Sequence, residues 1–366
     1  MTASRRTLRL VFALIAAAAI AAAALASPVF LRAYLLGWVL WLGVALGGFS
    51  FLCVHHLVHG RWGEAVRPLL EAAARTIPVL AVLFVPIALG LPRLYAWADA
   101  AYMQAEPLRA AKAGYLSPGF FLVRAALVLV AWSALAWALA RARTLRPGLA
   151  ALSLVTYFLT GTTAAVDWVL SLDAGMSSSA FGLHFIAGNA VAGWSFVLIV
   201  LALLEGRAGR RQVATERVHE LGTLLFVAVM LWGYVAFAQF LLIWSADLPR
   251  QAYWYVQRTS GGWAIVAWAL VGLHFAAPFV LLLFRAIKRR PGRLAMVAAL
   301  LLVMHGVELV WLIAPSRPVP PAGGSSVHVL DVVLPLVLGL VYVALYFALL
   351  PRGRGSAPGG EGDAGA

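Results

Sequence analysis

Asp167, Asp173, His184 and Asn189 fall in a stretch, Thr156 to Leu204, that is otherwise almost continuous hydrocarbon. A charged side chain at bilayer depth costs about 2.5–3.5 kcal/mol on insertion scales, so such groups mark a proton path, an ion path or a polar ligand site. Further along, His305 and Glu308 are three residues apart in another apolar run, with Trp311 beyond. On a helix that spacing puts both on one face, close enough to share a proton or a water molecule. Asp167 near the end of one apolar run and His184 near the start of the next should lie at similar depth. An imidazole opposite a carboxylate is a candidate proton-exchanging pair, because imidazole titrates near neutral pH. Trp232, Val235 and Gln239 recur on one helix face. Gln239 can donate to a carbonyl oxygen such as that of a quinone or bond a neighbouring helix as interhelical glue; Tyr234 and Trp244 lie in the same run.

Several chemistries are disfavoured. The lone Cys53 permits no intrachain disulfide and no thiolate metal cluster, and C-x-x-C-H, the signature of covalent haem c, is missing. His184, His274 and His305 are the histidines deep in apolar runs, one per run, which lacks the four-histidine pattern of a dihaem cytochrome b. The expectation is therefore no metal and no cofactor held by this chain. No phosphate-binding loop or dinucleotide fingerprint occurs. His55, His56 and His59, beside Arg61, are expected to snorkel at the interface.

These residues must be positioned by membrane helices. The 366-residue chain is 63% hydrophobic and 11% charged, with mean hydropathy +0.91, against about 45–50% and about 25% for soluble domains. The fold class is all-α, a polytopic integral membrane protein. With about 20 residues per span, about ten spans are expected: 8–26, 30–54, 73–89, 119–140, 149–172, 180–204, 221–245, 262–284, 294–314 and 329–350. Of the 28 basic residues, 20 fall in one set of alternate segments, which puts both termini in the cytoplasm and accounts for the net charge of +14 without nucleic acid. Residues 1–350 read as one transmembrane domain and 351–366 as a disordered, Gly- and Ala-rich tail. The first apolar run, with Ala24-Leu25-Ala26, also has signal-peptide features, but a second run starts almost at once, and we read it as a span. The outward loop 92–118, rich in Tyr and Trp, is expected to lie on the membrane surface.

Motif order carries a resemblance. The runs Thr160 to Ala174, Phe181 to Gly188, Leu231 to Pro249, Phe279 to Arg285 and His305 to Pro315 resemble, in order, segments of the ActF-like membrane subunit of alternative complex III, a quinol-oxidising respiratory complex. The likeness covers roughly residues 150 to 315. Asp173 stands where that family often carries Glu, His184 where it carries Tyr, and Arg250 where it carries acidic residues. The resemblance implies a fold of the NrfD/polysulfide-reductase anchor type, two four-helix bundles plus two extra helices, in a bacterial inner membrane. It implies partners: a second NrfD-like subunit, subunits carrying haem c and iron–sulfur clusters, lipid, and quinol. The subunit's implied role is scaffold and proton pathway, with Asp167, His184, His305 and Glu308 as the proton-handling candidates and Tyr234, Gln239 and Trp244 as the quinone-facing candidates. The alternative is an ion- or proton-coupled secondary transporter, for which Pro86 and Pro278 inside apolar runs hint at broken helices.

Overall fold

The computed structural model describes residues 26–207, 213–316 and 327–351. Among these residues the chain is helical and contains no strand. The expected first span and the C-terminal tail lie outside the described residues. Eight helices are long and apolar enough to cross a membrane, and a ninth candidate is a bent pair. Each of the other nine expected spans coincides with one of them.

The helices are α1 (Pro28–Val58), α2 (Arg61–Val82), α3 (Val85–Leu94), α4 (Pro118–Ala140), α5 (Pro147–Trp168), α6 (Phe181–Arg207), α7 (Thr215–Ala246), α8 (Pro249–Thr259), α9 (Gly262–Leu283), α10 (Pro291–Ile313) and α11 (Leu330–Leu349). Local sequence sets their ends. Proline occupies the first turn of α1, α4, α5, α8 and α10, where its missing N–H would have no intrahelical partner anyway. Ser27 caps α1 by accepting the Phe30 N–H at 3.3 Å. His59 ends α1 in the left-handed conformation, φ 56°.

Proline also breaks helices. Pro86 cannot donate the bond that would join α2 to α3, and the two meet at 52°. In α9 the backbone widens to a π-helix over Leu270–Ala276, and the Ala277 N–H reaches back to Gly272 O. Pro278 follows directly. In an ordinary α-helix its ring would clash with the carbonyl of residue 274, and the π turn relieves that conflict.

Two groups of helices pack around α1 and α6. Helices α1, α2, α4 and α5 contact one another in a ring, and α6, α7, α9 and α10 form a second. The α1–α6 contact joins them, and α11 lies against α1 and α2. Glycines make the join close. A methyl group at Gly47 would collide with the Asn189 backbone, and one at Gly193 with the backbone of Gly47 and Gly48. Small residues allow such backbone approach in membranes, where dispersion rather than water exclusion drives association.

Loop 92–118 folds over the end of the first helix group. Tyr95 and Trp97 are buried, donating to Trp168 O at 3.0 Å and Ser171 Oγ at 3.1 Å. Hydrogen bonds satisfy their polar tips, so burial gains more than interfacial exposure would. His55 and His56 are likewise buried rather than snorkelling, and His56 Nδ1 accepts the Arg146 N–H at 3.1 Å.

Candidate functional site

The second helix group encloses a polar cluster centred on Glu308. Helix α10 carries Glu308 and His305 on its buried face, α6 contributes His184, α7 contributes Trp232, and the π turn of α9 contributes His274. All five are buried. Glu308 Oε1 contacts His184 Nε2 at 2.6 Å and accepts from Trp232 Nε1 at 2.8 Å. Glu308 Oε2 contacts His305 Nδ1 at 2.9 Å, and His274 Nδ1 lies 3.8 Å away. The Trp232 ring packs on His274 with centroids 4.1 Å apart, and on His184 at 5.9 Å. A buried carboxylate is costly unless paired and hydrogen-bonded. Here both oxygens are met by imidazoles, which can share a proton with it.

Of the sequence-derived candidates, His184, His305 and Glu308 are brought together. Asp167 is not part of that cluster. Its two oxygens are taken by Arg124, from Nε at 2.8 Å and Nη2 at 3.0 Å. The expected Asp167–His184 pairing is therefore corrected: a two-pronged guanidinium satisfies the carboxylate, and His184 turns to Glu308 instead. Arg124 also stacks on Tyr115 at 3.9 Å and donates to Tyr115 O at 3.0 Å. Asp173 caps a turn by accepting the Gly175 N–H at 3.2 Å.

Tyr234, Gln239 and Trp244 do not make one surface. Gln239 is buried, whereas Tyr234 and Trp244 are each 71% exposed on the outer side of α7. Five residues at about 100° each put Tyr234 roughly 140° from Gln239 around the helix, so these residues do not share one helix face.

Three partners were missed from sequence. Arg124 and Trp232 carry no spacing signal linking them to Asp167 or Glu308. His274 was seen as a deep histidine, but its direction depends on the π turn; Pro278, four residues later, is the local signal. Helices α9 and α10 also assemble a donor set that the sequence did not indicate. His274, His305 and Glu308 each offer one ligand atom, all within 4.8 Å of one another.

Two cavities lie elsewhere. One, about 470 Å³, is lined by Lys112, Tyr115, Asp173 and Ser177–Ser179. Lys112 Nζ donates there to Ala174 O at 2.9 Å and Met176 O at 2.8 Å. Burial pushes the Lys112 ammonium below its ordinary range, with Asp173 opposing, and burial with the nearby Asp167 charge pushes the Tyr115 phenol up to about 12. The other, about 670 Å³, is an apolar groove lined by residues including Pro78, Phe84, Leu129 and Trp137, beside the α2–α3 bend.

No family profile matches the chain, and no curated protein matches it.

Proposed function

We propose that the chain is a membrane subunit of a quinol-oxidising respiratory complex of the alternative complex III type, in which the Glu308 cluster passes a proton. The polytopic helical fold is observed. The ten-span count, the cytoplasmic termini, the bacterial inner membrane and the second NrfD-like partner belong to the proposal. So do quinol, and haem c and iron–sulfur clusters held by other subunits, with no redox cofactor in this chain. One observation carries the reading: a buried carboxylate hydrogen-bonded at both oxygens by histidines from two helices, with a third imidazole 3.8 Å away. Glu308 and its imidazoles can hold a proton at either partner with little movement of heavy atoms.

The test is quinol-driven turnover and proton yield of the assembled complex carrying Glu308→Gln, which keeps the shape and removes the titratable oxygen. A loss of at least about tenfold is expected, in the range that positioned acid–base groups supply, with assembly intact. Wild-type turnover and proton yield would reduce the cluster to a packing device.

A secondary transporter is the second reading. The 52° break at Pro86 and the π turn before Pro278 favour it, since transporters build midplane sites from interrupted helices. Purification of the chain from native membranes separates the two. Recovery with haem- and iron–sulfur-bearing partners supports the complex, and recovery alone supports transport.

A further inference from the structure

His274 is the least explained member of the cluster. It is fully buried, yet neither ring nitrogen has a hydrogen-bond partner among the described residues. Leaving a buried polar group unsatisfied is costly, and proton sharing by His184 and His305 does nothing for it.

The ring's surroundings indicate what would satisfy it. Glu308 Oε1 is already held by His184 and Trp232. Glu308 Oε2 instead faces two Nδ1 atoms, of His305 at 2.9 Å and of His274 at 3.8 Å. A four-coordinate zinc ion with bonds of about 2.0–2.1 Å keeps its ligand atoms roughly 3.3 Å apart. These two separations straddle that value and the three ligand atoms all lie within 4.8 Å of one another, so movement of the rings toward a common centre would close the set. Two imidazoles and one carboxylate suit a borderline-soft divalent ion, whereas calcium and magnesium prefer all-oxygen sites. The contacts on Oε1 would hold the carboxylate in orientation, as outer partners of metal ligands commonly do. Gly188 opposite lets the α6 backbone approach the His305 ring closely, since a methyl group there would meet His305 Cε1 at 2.8 Å.

We propose that His274 Nδ1, His305 Nδ1 and Glu308 Oε2 form a binding site for one divalent transition-metal ion of the zinc class, with a fourth position open. This goes beyond the proton reading and does not depend on it. The ion and the shared proton would use the same atoms, so the two are tested separately.

The probe is cobalt(II), which replaces zinc and reports its own geometry through its visible absorption. The full chain, purified in detergent without a polyhistidine tag, is equilibrated with cobalt(II) and passed over a chelating resin. About one retained ion per chain is expected, with the strong absorption of four-coordinate cobalt. His274→Gln and His305→Gln should each abolish the band. His184→Gln should keep it but weaken affinity roughly 10–100-fold. Wild-type protein that retains no cobalt overturns the proposal without recourse to any variant. So does a band that survives both His274→Gln and His305→Gln, which would place the ion on other histidines. Near-ultraviolet circular dichroism of the tryptophans establishes that each variant is folded. Turnover of the Glu308→Gln complex in metal-free buffer bears only on proton passage, so either idea can fail alone.

Discussion

A methyl group added to Gly188 would stand 2.8 Å from His305 Cε1 and 3.5 Å from Glu308 Oε2. Helix α6 thus presses its bare backbone against the cluster on α10, and that close approach fixes where His305 can point. Gly188→Ala should push His305 away from Glu308. The expected cost is about 1–3 kcal/mol of overpacking, with turnover falling as it does in His305→Gln. Thermal unfolding in detergent and quinol turnover measure the two effects. Unchanged turnover would show that the position of His305 is unimportant.

His184 and Glu308 should behave as one unit. A double-mutant cycle with His184→Gln and Glu308→Gln is expected to give a coupling of roughly 0.5–3 kcal/mol, the double variant losing less than the sum of the singles. Strict additivity in the unfolding free energies would mean that the 2.6 Å contact contributes no energy of its own.

Asp167 and Arg124 are predicted to be structural. Their side chains are 2% and 10% exposed, so removing one charge strands the other. Asp167→Asn should destabilise by about 3–5 kcal/mol, and the double change Asp167→Leu with Arg124→Met by much less. The comparison is made by chemical or thermal unfolding of each variant. Equal losses in the single and the double variant would contradict a simple charge pair.

Pro278 should trade stability for site geometry. Pro278→Ala restores an N–H that can bond the His274 carbonyl and removes the ring clash. The π turn should then relax toward α-helix and swing His274 off Glu308. Stability is expected to rise by about 0.5–2 kcal/mol, as stabilising changes at functional positions commonly do, while any function needing His274 is lost. A variant that is both unstable and active would show that the π turn has another cause.

The sequence made most of the spans legible because they are apolar runs about as long as a bilayer needs. The α2–α3 bend was foreshadowed by Pro86, though not its angle. Half of the site was legible for a similar reason. His305 and Glu308 share a helix, so their spacing alone places them together. Helix period also put Trp232 on the buried face of α7, with Val235 and Gln239. Contacts between helices were not legible. Asp167 and His184 flank one connection, from α5 to α6, yet each found its partner on another helix: Arg124 forty-three residues away and Glu308 one hundred and twenty-four residues away. Only the packing of α4 on α5 and of α10 on α6 decides that choice. Tyr234 and Gln239 fell into one group from proximity in sequence, where the helical twist sends them to different sides.

Helix α1 is buried on nearly every side by α2, α3, α5, α6 and α11, but a membrane protein is made one segment at a time. Before those neighbours exist, α1 must sit in lipid with its whole circumference exposed. Its sequence suits that earlier stage, being apolar all round, with Arg32 near one end and the histidines at the other. The same side chains therefore serve two solvents in succession, first acyl chains and then protein. Selection on α1 acts on its insertion during synthesis as well as on its final packing, so a polar substitution there would reduce the yield of inserted chains before it reduced the stability of the finished fold.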